Sequence, residues 1–123
     1  MSALLSLDQG TTSSRSIVYD TRCRPIATSQ QEFRQHFPQP GRVEHDATEI
    51  WETVAATARD AIKKSGTNPA DIAALGITNQ RETIVVWDRK TGEPIAPAIV
   101  WQDRRTADYI AALRESGEEN LIR

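Results

Sequence analysis

The chain has 123 residues, 38% of them hydrophobic and 26% charged, with a formal net charge of −2. That length suits one domain able to bury roughly two thirds of its unfolded surface. The near-neutral balance excludes a general electrostatic pull toward nucleic acid or an anionic membrane, so a phosphate ligand has to be held by local groups.

Two strand-like apolar runs, Leu4–Leu7 and Ser16–Tyr19, flank a polar turn from Asp8 to Arg15. The turn holds Gly10 and four consecutive hydroxyl residues, Thr11, Thr12, Ser13 and Ser14. Glycine permits a positive φ and a close ligand approach, and successive backbone N–H groups in such a turn form an anion site. The hydroxyls and Arg15 add donors, and Asp8 is placed to hold a cation or a metal-bound water. On composition alone an ordinary polar hairpin turn is equally consistent. A third run, Pro25–Phe33, completes a predicted antiparallel meander. Cys23 is the only cysteine, so no intrachain disulfide can form and a reducing, cytoplasmic setting is expected. The first residues carry no basic stretch and Asp8 interrupts the apolar run, so no signal peptide is expected. No apolar run approaches the ~20 residues that span a bilayer.

Pro38 and Pro40-Gly41 make Gln35–His45 an exposed, irregular loop, and its two histidines, His36 and His45, read as structural or surface residues. Asp46-Ala47-Thr48-Glu49 has the form of a capping box opening a helix to about Lys64. Its apolar stripe is Ile50, Trp51, Val54, Ala55, Ala58, Ala61 and Ile62, which places Trp51 in the core. Gly66 closes the helix, with Lys63 and Lys64 at the negative end of its dipole. Asn68-Pro69 starts a single turn, and Ile72–Thr78 reads as a buried strand whose carboxyl end presents Asn79, Gln80, Arg81 and Glu82. Thr83–Asp88 looks like another strand, joined through Arg89–Gly92 to Glu93-Pro94-Ile95 as a hairpin. Pro94 and Pro97 mark an edge or loop, and Ala98–Gln102 is strand-like. Asp103 is the expected cap of a helix from Arg104 to Glu115, with Ala107, Ile110, Ala111 and the stems of Leu113 or Arg114 inward. Arg104 and Arg105 read as solvated or salt-bridged, Gly117 ends the helix, and a further one is expected to begin at Glu118.

Three motifs occur in order: LDQGTTSSR (residues 7–15), GITNQRET (76–83) and IVWQDRRT (99–106). No Lys follows the glycine, so a P-loop is ruled out. The motifs resemble those of the sugar and polyol kinases, and the second and third resemble the glycerol kinases among them. The resemblance implies an α/β fold of the ribonuclease H-like, actin-like ATPase type: a mixed sheet with flanking helices. It implies ATP with Mg²⁺ as cofactors and glycerol and ATP/ADP as partners, with no nucleic acid and no membrane insertion; a homo-oligomer stays open. By the same resemblance Thr11, Thr12, Ser13 and Arg15 bind the nucleotide phosphates, and Asp8 lies near the metal, acting through water. Arg81, Glu82 and Trp101 bind the acceptor. Without it, Arg81 and Glu82 read as surface charges and Trp101 as core. The general base of such kinases is an Asp expected beyond residue 123, so no catalytic base is assigned within 1–123. The chain is then the N-terminal part of the first kinase domain, without the second, nucleotide-binding domain, and is inactive alone. A kinase for another polyol or sugar, or a non-catalytic actin-like nucleotide-binding domain, are the alternatives.

Overall fold

The computed structural model describes residues 2–118. Alternating apolar and small polar residues fold as three strands, β1 Ala3–Gln9, β2 Ser13–Tyr19 and β3 Pro25–Glu32, paired antiparallel as expected. A two-residue strand β4, Glu44–His45, precedes helix α1, Ala47–Ser65. After a single 3-10 turn at Pro69–Asp71, strand β5, Ile72–Asn79, returns parallel to β1. The sheet order is therefore β3-β2-β1-β5, mixed in direction. A short β6, Ala98–Ile99, pairs antiparallel with β4 in a second sheet, and α2 spans Ala107–Glu115.

Helix α1 packs across β2 and β3, and its seat is unusual in being hydroxylated. The inward residues of β2 are Ser14, Ser16 and Val18, all fully buried. Opposite them stand Thr53, Thr57 and Ala61, the buried face of α1. Two residues of strand and four of helix both advance about 6 Å, so the two rows stay in step. The Ser14 and Thr53 hydroxyls meet at 2.9 Å, Ser16 and Thr57 at 2.9 Å. Thr57 already donates to the Val54 carbonyl, so Ser16 is the donor of its pair. One step further the ladder turns apolar, where Val18 and Ala61 join Ala3 and Leu5 in the core. Thr57→Val keeps the shape and orphans the Ser16 hydroxyl, which should destabilise the fold by about 1–3 kcal/mol. Urea titration checks this; an unshifted midpoint would show that the ladder contributes nothing.

The hydroxyl ladder also corrects the predicted stripe of α1. Trp51 lies two residues, roughly 200° around the helix, from Thr53, and is 68% exposed rather than in the core. Asp46 caps α1 as expected, accepting from the Thr48 and Glu49 N–H groups. The Glu49 carboxylate does not close a capping box but accepts the Arg34 N–H. Gly66 ends the helix with φ 66°.

Strand β5 is not buried: beyond Ile72 its residues are exposed, Leu75 and Ile77 among them, because α1 covers the other half of the sheet. Thr83–Asp88 is not a continuous strand but is held by isolated bridges, Ile84 to Ile99 and Trp87 to Pro94, the latter forming the expected hairpin. The Gln35–His45 segment is only partly irregular, since His36 bridges Glu44 and both Val43 and His45 are buried. Helix α2 begins three residues later than expected, and Ala107, Ile110 and Ala111 face solvent instead of a core. Asp103 does not cap it, being engaged elsewhere. The further helix expected from Glu118 lies outside the described residues.

Candidate active site

Because β1 and β5 are neighbours and parallel, they end at the same edge of the sheet, where Gln9 pairs with Asn79. The Gly10–Thr12 turn and the Gln80–Glu82 loop thus leave the sheet side by side, the place where α/β sheets meet their ligands.

The turn is tied down from behind. The Gly10 N–H donates to the Ser13 carbonyl at 2.9 Å. The carbonyls of Gly10, Thr11 and Thr12 accept from the Gln9 amide, the Gln35 amide and the Phe33 N–H, at 2.6, 3.0 and 3.2 Å. Oxygens engaged this way are screened from an approaching anion. Gly10 is not at positive φ, contrary to expectation. Its requirement is space, since an added Cβ would stand 3.1 Å from the Ser13 carbonyl.

Ser13 lies at the start of β2 and accepts from the Gln30 amide at 3.0 Å. Arg15 points to the face away from α1, directly across from Asp8, and the two form an ion pair at 2.7 Å. Both side chains are about half exposed, and an open groove of about 380 Å³ runs beside them past Ile17, Gly76 and Thr78. Among the described residues no group of three or more His, Cys, Asp or Glu is placed to hold a metal. A lone carboxylate such as Asp8 fits Mg²⁺, which keeps most of its waters and takes one or two carboxylates plus substrate phosphates.

Trp101 follows β6 and joins the turn: its indole N–H donates to Thr11 Oγ1 at 3.3 Å. It is 52% exposed, so it is not a core residue. An ionic clamp fixes its segment; Arg105 is salt-bridged, as expected, while the role of Asp103 in the clamp was not foreseen. Asp103 accepts the Val43 N–H at 2.7 Å and two bonds from the Arg105 guanidinium at 2.8 Å, while Arg105 also reaches Glu44 at 2.7 Å. The guanidinium holds the nearly buried Asp103 carboxyl far below the usual carboxylate range.

Arg81 and Glu82 are exposed, and neither side chain is bonded to another described residue. Glu82 has φ 59°, a left-handed backbone that is uncommon outside glycine. Just before them, Gln80 is buried and its amide nitrogen lies 3.1 Å from Nδ1 of the fully buried His45. The other ring nitrogen, Nε2, lies 2.6 Å from Gln35 Oε1. Sequence reasoning missed this trio; only the placement of Gln80 inside the second motif hinted at it. The structure therefore brings Trp101 to Thr11 and Asp8 to Arg15, and sets Arg81 and Glu82 on the neighbouring loop with no direct contact to either.

A mixed sheet with this turn and loop at one edge is the actin-like ATPase architecture of the sugar kinases. Residues 3–123 match the N-terminal domain of the FGGY family of carbohydrate kinases, and the chain belongs to that family. Leptothrix cholodnii glycerol kinase is 60% identical over 123 residues, which is 100% of this chain and 25% of that protein. The chain spans about a quarter of the length of the curated relatives it matches. The crystal structure of Plasmodium falciparum glycerol kinase with ADP superposes with a TM-score of 0.82 at 33% identity, covering 92% of this chain and 23% of that one. A ligand-bound xylulose kinase from Lactobacillus acidophilus gives a TM-score of 0.86 at 20% identity, over 95% of this chain and 23% of that one, a likeness of fold alone. Among the described residues no helix is long and apolar enough to cross a membrane.

Proposed function

We propose that these residues are the N-terminal part of the first domain of a glycerol kinase, which moves the γ-phosphoryl group of ATP to glycerol, giving ADP and glycerol 3-phosphate. The observation that carries the reading is the meeting of Trp101 with Thr11, beside the loop that bears Arg81 and Glu82. One end of this site is built for phosphate and the other for a small polyol.

Thr11, Thr12 and Ser13 offer hydroxyls and N–H groups to the nucleotide phosphates, and Arg15 supplies fixed positive charge where negative charge is shared in transfer. Asp8 orients Arg15 and would be the residue to hold Mg²⁺ through water; Mg²⁺, when bound, would neutralise phosphate charge. The Arg81 guanidinium donates to, and the Glu82 carboxylate accepts from, the hydroxyls of a triol. The Trp101 face lies against its carbons. The proton of the attacking hydroxyl passes to an Asp supplied from outside residues 1–123. The exposed thiol Cys23 and the absence of a disulfide suit the cytoplasm.

The test uses a full-length kinase carrying this segment, native or spliced onto the remainder of the Leptothrix cholodnii enzyme. With ATP and a panel of glycerol, xylulose, ribulose and gluconate, kcat/KM should be highest for glycerol. A higher value for any of the sugars or for gluconate would overturn the assignment.

A further inference from the structure

His45 sits between the phosphate turn and the acceptor loop without belonging to either. It is fully buried on β4 and packs edge to face on Phe33, ring centroids 5.1 Å apart. The chemistry of its partners fixes the proton on Nε2. The Gln35 amide nitrogen faces two carbonyls, those of Thr11 at 3.0 Å and Phe33 at 3.4 Å, which can only accept. The Gln35 amide oxygen therefore faces His45, so Nε2 carries a hydrogen and donates to it. Nδ1 is then bare and accepts from the Gln80 amide nitrogen. Gln80 Oε1 is left buried without a partner among the described residues. The result is one directional chain of bonds from Gln80 through His45 and Gln35 to the carbonyl of Thr11.

We propose that His45 is a positioning residue for phosphoryl transfer, holding the Thr11 turn and the Arg81–Glu82 loop in one geometry through Gln35 and Gln80. The inference rests on the glycerol kinase reading above. Both ligand loops leave the sheet edge without a direct contact between them, whereas in-line transfer needs donor and acceptor aligned to a fraction of an ångström. The chain of bonds supplies that alignment from behind. With the Gln80 amide turned this way the ring is neutral; a proton on Nδ1 would meet the Gln80 amide hydrogens and turn that amide over, resetting the link to the acceptor loop. Burial, with His36 beside the ring, holds the pKa of His45 below its ordinary value of 6.5; Glu49 on α1 opposes this and is outweighed. Glu44, next in the chain, is paired with Arg105.

The experiment compares the full-length kinase with His45→Phe, which keeps a ring against Phe33, and Gln80→Met, which keeps the length of the side chain. Melting curves identify a temperature at which each is folded, and kcat and both KM values are measured there from pH 5.5 to 8. Both variants should lose about tenfold or more in kcat, with KM for ATP little changed, as misalignment without loss of contact predicts. In the parent, kcat should decline on the acid side of the ordinary histidine range, where Nδ1 takes a proton, since burial holds the ring's pKa below its usual value. In His45→Phe that limb should move to lower pH, leaving only the limb of the catalytic Asp. Folded variants with parental kcat, or an acid limb in His45→Phe at the same pH as the parent's, would overturn the inference while leaving the glycerol kinase reading intact; the catalytic Asp supplies its own, more acidic limb. A parent inactive on glycerol would remove that reading first and this inference with it.

Discussion

Arg15→Ala in the full-length kinase is expected to lower turnover by about 10²-fold or more, the scale for losing one preorganised charge-stabilising donor. The effect should appear in kcat with glycerol binding almost unchanged, since Arg15 stands at the phosphate end, across the strand pair from Asp8. The Asp8 ion pair is half exposed, and pairs of that kind contribute about 0–1 kcal/mol to folding. The melting temperature should therefore barely move, which separates a catalytic loss from a structural one. Steady-state kinetics beside a melting curve decide it. Parental turnover would mean that the hydroxyls and backbone of the turn hold the phosphates alone.

Glu82→Gln should weaken glycerol binding by about 1.5–3 kcal/mol, the range for hydrogen bonds to charged groups. That corresponds to roughly a 10- to 150-fold rise in Kd. Glutamine keeps the length of the side chain and adopts the same left-handed backbone, so the loop is undisturbed and only the acceptor strength changes. A positive φ at a non-glycine residue is strain of order 1 kcal/mol that persists where its surroundings demand it. Here it aims an unpartnered carboxylate from the end of β5. Calorimetry with glycerol and with ATP separates the roles. An equal loss at both ligands would show that Glu82 supports the domain rather than the triol.

Much of this was legible from local chemistry. The meander, the Asp46 cap, the Gly66 stop and the position of Gln80–Glu82 past a strand all follow from short-range patterns, and the structure has them in place, with Asn79 still inside the strand. What local pattern cannot tell is which face of an element finds a layer to pack on. Trp51 and, on α2, Ala107, Ile110 and Ala111 carry amphipathic signals yet face solvent, while Leu113 alone of that helix's expected inward residues is half-buried. The β5 run is apolar enough for a covered strand, and α1 covers β2 and β3 instead. The seat of α1 escaped notice for the opposite reason: Thr53 and Thr57 count as polar and so fell outside the apolar stripe. Asp103 carries a good capping signal, but the Val43 N–H and Arg105 compete for its oxygens and win. The Gln35–His45–Gln80 trio joins residues 10 and 35 positions apart, a spacing with no periodic signature.

The paired hydroxyls beneath α1 have a mechanical consequence. A seam of methyl groups lets a helix creep along a sheet by fractions of a turn at little cost. Two hydroxyl pairs admit only discrete settings, because an intermediate one breaks both bonds at once while they are buried. The ladder thus works as a detent that indexes the helix against β2. His45 lies two residues before the first residue of α1 and Thr11 two before the first residue of β2, so the same detent keeps the buried His45 link in phase with the phosphate turn. Motion of this domain when a substrate arrives would then be movement of a single indexed block, with β2 and α1 travelling together.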